Sequence, residues 1–233
     1  SATQNTPFHV AYVHSGYRYR SPFGHLDDAA FNAACAEDLR DVLRVAVSGD
    51  AACLIVEPIQ GVGGFVTPPD GYLKALEEVL DEEGILLISD EVQTGWGRTG
   101  ERFWGYQAHD VTPDLLTFAK GLGNGTAIAG VVGKGEIIDC LAANSISTFG
   151  GNPLASAAAL ANLDYLEEHD LQTNAFKVGQ QLRADIERLA TEVPNIGEVR
   201  GKGLMIGVEF VGPGTTTPDT ATTGRVMEEA KAG

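Results

Sequence analysis

Lysine and arginine are scarce in this chain of 233 residues: 16, against 32 aspartates and glutamates, for a formal charge of −16. Phosphate backbones are bound by clustered basic side chains, so this balance argues against nucleic acid as a partner. The acid excess reads instead as solvated helix faces, as in Glu77-Glu78 and Asp81-Glu82-Glu83. Cysteine is sparse too. Cys35, Cys53 and Cys140 have neither disulfide-like nor metal-like spacing, and are expected as reduced, mostly buried thiols in a reducing compartment. The histidines His9, His14, His25, His109 and His169 form no ligand pair at helical spacing, so no metal site is expected. No apolar run approaches the length of a membrane span, and no charged-then-apolar leader opens the chain. The expectation is a soluble, cytoplasmic protein with no membrane partner, although a targeting leader would precede Ser1. No internal repeat is evident.

What is present supports one large domain, or one and a half: 43% of the residues are hydrophobic, enough for a sizeable core. The opening through Gly24 reads as a loop, with Arg18 and Arg20 solvated. A helix is expected from about Asp27 to Val47, ended by Ser48-Gly49-Asp50. Cys53-Leu54-Ile55-Val56 reads as a buried strand ending at Glu57-Pro58, followed by the glycine-rich Gly61-Val62-Gly63-Gly64. Asp70 is the expected N-cap of a helix whose buried stripe is Leu73, Leu76, Val79 and Leu80, with Gly84 placed to end it. Apolar runs at 85–88 and 115–118 read as further strands. The repeating order of strand, helix and strand predicts a mostly parallel sheet covered on both faces. Ile128–Val132 reads as another strand, Asn152-Pro153 opens a helix, and a second helix spans about Leu171–Ala190. Leu204, Ile206, Val208 and Phe210 then alternate as on a half-buried antiparallel strand, and Pro213–Pro218 is a surface loop. The change of period places the start of a second domain near residue 170, giving domains 1–169 and 170–233.

Three strands therefore end in Glu57, Asp90 and Lys120. In an open parallel sheet, ligands bind beyond the carboxyl ends of the strands, so these residues are expected to face one crevice. An amine and a carboxylate in one crevice are what pyridoxal 5'-phosphate requires. Lysine holds the aldehyde, and a carboxylate keeps the ring nitrogen protonated by the opposite-charge effect on its pKa. Gly121, Gly123 and Gly125 let the chain turn sharply beside that lysine.

The segments Val56–Gly64, Asp90-Glu91-Val92-Gln93-Thr94-Gly95-Trp96-Gly97-Arg98-Thr99-Gly100, Pro113-Asp114, Ala119-Lys120-Gly121, Thr148–Pro153 and Val199–Met205 together resemble the class III, subgroup II aminotransferases, which are fold-type I enzymes. Phe103–Val111, Gly121–Gly125 and Arg200–Gly207 are similar to the alanine–glyoxylate group within that class. The resemblance implies an α/β large domain with part of a smaller α+β domain, and a cofactor held by Lys120, Asp90, Val92 on the ring face and Gln93 on the ring hydroxyl. It further implies that Thr148 reaches the phosphate in the neighbouring subunit of a homodimer, with Glu57 near the network. The implied reaction passes an amino group from an amino acid to a 2-oxo acid such as glyoxylate or pyruvate. Members acting on terminal amines often carry glutamate where this chain has Val62, so an alanine-like donor is favoured. Other pyridoxal reactions on the same scaffold, among them omega-amino-acid transamination, phospho-lyase and aminomutase chemistry, share these residues, and a dimerising fragment without catalysis is a further alternative. Arg98 reads as a structural pairing or a substrate contact. The family's upstream Gly-Ser/Thr phosphate turn and ring-stacking aromatic have no match in residues 1–50, and its substrate-carboxylate arginine belongs beyond Gly233. The sequence thus reads as the middle of such an enzyme.

Overall fold

A computed structural model describes residues 10–47, 49–142 and 146–232; His9 and the Ser48 of the expected helix stop lie outside the described residues. Helix α1 (Asp28–Val45) starts where Asp27 accepts the Ala30 N–H at 2.9 Å, as an acidic N-cap should. Strands β1 (Cys53–Val56), β2 (Leu86–Asp90) and β3 (Leu115–Phe118) pair in parallel, with helix α2 (Tyr72–Glu83) crossing between β1 and β2. Strand β4 (Gly130–Gly133) pairs antiparallel with β3, shifted from the expected 128–132. The sheet order is β1-β2-β3-β4, which makes it mostly parallel. A short turn of helix α3 (Gly135–Ile138) and the long helix α4 (Pro153–Glu168) follow. Asn152 caps α4 by accepting the Ala155 N–H at 3.0 Å, and Pro153 fits the first turn, where its missing N–H costs nothing. Helix α5 (Leu171–Ala190) leads into the separate antiparallel hairpin β5 (Ile196–Lys202) and β6 (Met205–Phe210), and α6 (Thr220–Ala232) follows.

The core lies between α1 and α2 and continues onto the sheet. Phe31, Cys35 and Leu39 meet Tyr72, Leu73, Leu76, Val79 and Leu80, with Leu87 beneath and Leu54 and Val56 at its margin. That is one covered face rather than the two expected. On β1 the alternate residues Cys53 and Ile55 are exposed, because no described segment packs over them. Cys140 is exposed as well, so only Cys35 meets the expectation of a buried thiol.

Asp70 does not cap α2. Gly71 occupies the cap in a left-handed conformation, and the Asp70 carboxylate pairs with Lys202, 3.0 Å away and 132 residues on. In the hairpin, Leu204 sits in the turn and is 39% exposed, and the deeply buried positions of β6 are Met205 and Gly207, the opposite phase from that expected. The arginines of the opening loop are paired, not merely solvated. Arg18 bonds Asp28, and Arg20 bonds Glu209 and the Thr216 carbonyl. Arg200, nearly buried, ties the hairpin to the glycine-rich loop. Its Nε donates to the Gly64 carbonyl at 2.9 Å, while another guanidinium nitrogen reaches Glu198 at 2.8 Å and Glu209 at 3.2 Å, over the face of Tyr17.

Candidate active site

The strand register sets the site. Val56 pairs with Ser89 and Asp90 with Thr117, so Glu57, Asp90 and Thr117 lie level at the carboxyl edge of three adjacent parallel strands, and Lys120 follows three residues later. This edge is where an open parallel sheet presents a ligand. Asp90 Oδ1 accepts the Val92 N–H at 3.1 Å and the Thr117 hydroxyl at 3.3 Å, while Oδ2 accepts no bond from the described residues. One oxygen is thus anchored and the other free to accept a proton-bearing nitrogen.

Lys120 is exposed and opens a one-turn 3-10 helix with a backbone φ of +40°, in the left-handed region that side chains other than glycine rarely adopt. Helix α4 supports it from outside, where the Asn162 amide donates to the Gly121 carbonyl at 2.8 Å and to the Leu122 carbonyl at 3.2 Å. Lys74, Lys134 and Lys202 are engaged with Glu77, Asp114 and the Asp70–Glu101 pair. Lys120 has no ion-pair partner among the described residues. An unengaged amine and a half-anchored carboxylate at the ends of neighbouring strands match what pyridoxal 5'-phosphate needs from its protein.

Around this pair, Glu57 accepts the Gly61 N–H at 2.9 Å and so pins the glycine-rich loop to the end of β1. Gln93 lies against Gly61, where an added Cβ would come within 2.8 Å of its amide nitrogen, so a larger residue there would displace the Gln93 side chain. Val92 is half-buried in the turn after β2. Thr148 is exposed in the turn preceding α4, and Val62 is 95% exposed. Arg98 is exposed, with its carbonyl accepting the Leu204 N–H at 3.2 Å.

Three contributors escaped the sequence reading. Glu91, fully buried, accepts four bonds: Ser89 Oγ at 3.2 Å and Tyr106 N at 2.8 Å on one oxygen, Thr94 Oγ1 at 2.5 Å and Gly105 N at 2.8 Å on the other. Burial pushes its pKa above the usual carboxylate value, and the four donors offset part of that rise. Trp96 and Trp104 pack at a tilt of 58°, 4.5 Å between centroids, among Phe103 and Phe118. Asn162 is the third. Each depends on a long-range approach that no local pattern announces, although two tryptophans flanking one glycine-rich turn are an available hint.

A mostly parallel α/β sheet with a lysine and a carboxylate at its carboxyl edge is the arrangement expected of the fold-type I pyridoxal-phosphate class. The family model of the class-III aminotransferases matches residues 3–231, and the chain belongs to that family. It is 44% identical over 198 residues to the mitochondrial alanine–glyoxylate aminotransferase 2 homolog 2 of Arabidopsis thaliana, covering 84% of this chain and 41% of that protein. It is 43% identical over 215 residues to a leucine/methionine racemase of Thermococcus litoralis, covering 91% and 47%. An amine transaminase from an uncultivated Pseudomonas species, crystallised with PLP bound, superposes with a TM-score of 0.83 at 38% identity, covering 91% of this chain and 50% of that one. The chain therefore spans less than half the length of these curated relatives. No helix among the described residues is long and apolar enough to cross a membrane.

Proposed function

We propose that this chain carries the lysine and the acid of an aminotransferase that moves an amino group from an alanine-like amino acid to a 2-oxo acid such as glyoxylate or pyruvate. The observation that carries the reading is the placement of Asp90 at the end of β2 and Lys120 just past the end of the neighbouring parallel β3, with one Asp90 oxygen accepting no bond from the described residues. When bound, pyridoxal phosphate supplies a ring that takes up the electron pair left on the substrate α-carbon. Lys120 would provide the amine that holds the aldehyde and that, once free, could move a proton at the substrate α-carbon. Asp90 would keep the ring nitrogen protonated, and Val92 and Gln93 would help hold the ring. Glu57 serves by fixing the Gly61 loop against Gln93.

The functional unit in this reading is a homodimer in which Thr148 reaches the partner's cofactor phosphate; its exposure on the surface supports this. The chain divides into a cofactor-binding part, 1–169, and the start of a smaller part, 170–233, in keeping with the separate sheet of β5 and β6. A second reading, racemisation of an α-amino acid, is favoured by the racemase relative and would use the same lysine and acid.

Reduction with borohydride after incubation with pyridoxal phosphate, followed by peptide mapping, tests the cofactor site. An adduct confined to Lys120 is expected; adducts spread over the surface lysines would refute the reading. Incubation with L-alanine and glyoxylate then separates the reactions: pyruvate and glycine support transamination, whereas D-alanine without 2-oxo acid exchange supports racemisation.

A further inference from the structure

Trp96 occupies an unfavourable position. Its φ is +64°, a conformation suited to glycine, yet it stands between Gly95 and Gly97 as an indole. Its Nε1–H is buried without a hydrogen-bond partner among the described residues. Both features oppose folding, so the ring is retained for its contacts. Those contacts converge on one segment. Phe118, two residues before Lys120, meets the indole edge-to-face at 5.3 Å between ring centroids. On the other side of the lysine, a Cβ built on Gly121 would lie 3.7 Å from Trp96 Cδ1. Trp104 and Phe103 back the indole at 4.5 and 5.7 Å.

We propose that Trp96 is a positioning residue for Lys120: its indole, held from behind by Trp104 and Phe103, forms the floor under the Phe118–Gly121 segment. Asn162 holds the same segment through the Gly121 carbonyl. Fixed by both contacts, Lys120 keeps its left-handed backbone, and its amine leaves the sheet edge in one direction. Removing the floor lets the turn relax toward an ordinary right-handed φ, which redirects the first bond of the side chain. The inference rests on the reading of Lys120 as the cofactor lysine.

The test uses the whole chain and the trapping reaction, read as the share of adduct on Lys120 relative to the five other lysines. Trp96→Ala is expected to lower that share about tenfold, since small misplacements of reacting groups are costly. Trp96→Phe, which keeps an aromatic floor, is expected to restore most of it. Leu39→Ala, in the core between α1 and α2 and away from the site, controls for general destabilisation and should leave the share unchanged. Selectivity for Lys120 retained in Trp96→Ala would overturn the proposal, as would an equal loss in Leu39→Ala. Trp104→Phe leaves Trp96 as the sole tryptophan, so its emission should be quenched as cofactor binds, whatever the fate of Trp96→Ala; unchanged emission would also overturn the proposal. Absence of labelling at Lys120 in the unsubstituted chain would instead refute the functional reading and the inference with it.

Discussion

Replacing Glu91 by glutamine changes almost nothing in shape and should nonetheless be among the most damaging substitutions in the chain. Each carboxylate oxygen of Glu91 receives one hydroxyl and one backbone N–H: Ser89 with Tyr106, and Thr94 with Gly105. A hydroxyl can turn to accept from an amide, but a backbone N–H cannot. Whichever way the glutamine amide is oriented, its NH2 group faces a backbone donor, and that N–H is left buried and unpaired. The lost partner costs about 1–3 kcal/mol, and weakening of the remaining bonds by removal of the charge adds a similar amount, giving roughly 2–6 kcal/mol in all. Because a domain of this kind is stable by only about 5–15 kcal/mol, the change should be plain in urea unfolding followed by emission from Trp96 and Trp104. Ser89→Ala, which removes one hydroxyl donor, should cost about 1 kcal/mol. A Glu91→Gln stability within about 0.5 kcal/mol of the parent would refute the argument, since it would mean that the four bonds do not depend on two acceptor oxygens.

His109 is buried, and burial, helped by Lys202, pulls its pKa down to about 4, against the opposing pull of Asp70 and Glu101. Because the unfolded chain takes up this proton first, the stability His109 contributes is present above about pH 6.5 and is lost as pH falls toward 4, by roughly 3 kcal/mol in total; His109→Leu should flatten urea midpoints over that window. Glu209 is pulled up by burial, but bonds from Tyr17 and Arg20 bring its pKa below the usual value overall. Its contribution should therefore be present above about pH 4.5 and fade below it, so Glu209→Gln should reduce the acid sensitivity of thermal unfolding. Gly179 on α5 meets the hairpin turn so closely that a Cβ would lie 2.1 Å from the Gly203 carbonyl oxygen; Gly179→Ala should destabilise by about 1–3 kcal/mol in the same urea assay.

The elements that could be read from the sequence were those whose causes lie within a few residues. The helix starts near Asp27 and at Asn152-Pro153, and three apolar runs each ending in an ionisable residue, need no distant partner to be recognised. Glu57, Asp90 and Lys120 fell on one edge for that reason. Asp70 looked like a cap by the same local logic, and failed because Lys202 competes for its carboxylate from the far end of the chain. The phase of β6 was misread because the hairpin turn takes up Leu204 and starts the strand one residue later. Glu91 gave no signal, since a glutamate after a strand is ordinarily at the surface, and only the fold brings Gly105 and Tyr106 to it.

The Arg200 contact with Gly64 has a mechanical consequence. Gly64 ends the loop that begins at Gly61, against Gln93 and Glu57, so a single guanidinium couples the hairpin to the rim of the proposed cofactor crevice. A displacement of about 1 Å would stretch the 2.9 Å bond beyond hydrogen-bonding range. Hairpin and rim must therefore shift as a unit, or part by leaving an ionic group nearly buried without its carbonyl. Coupling of this kind is reciprocal: whatever steadies the rim also steadies the hairpin, and tension applied at the hairpin is felt at Gln93.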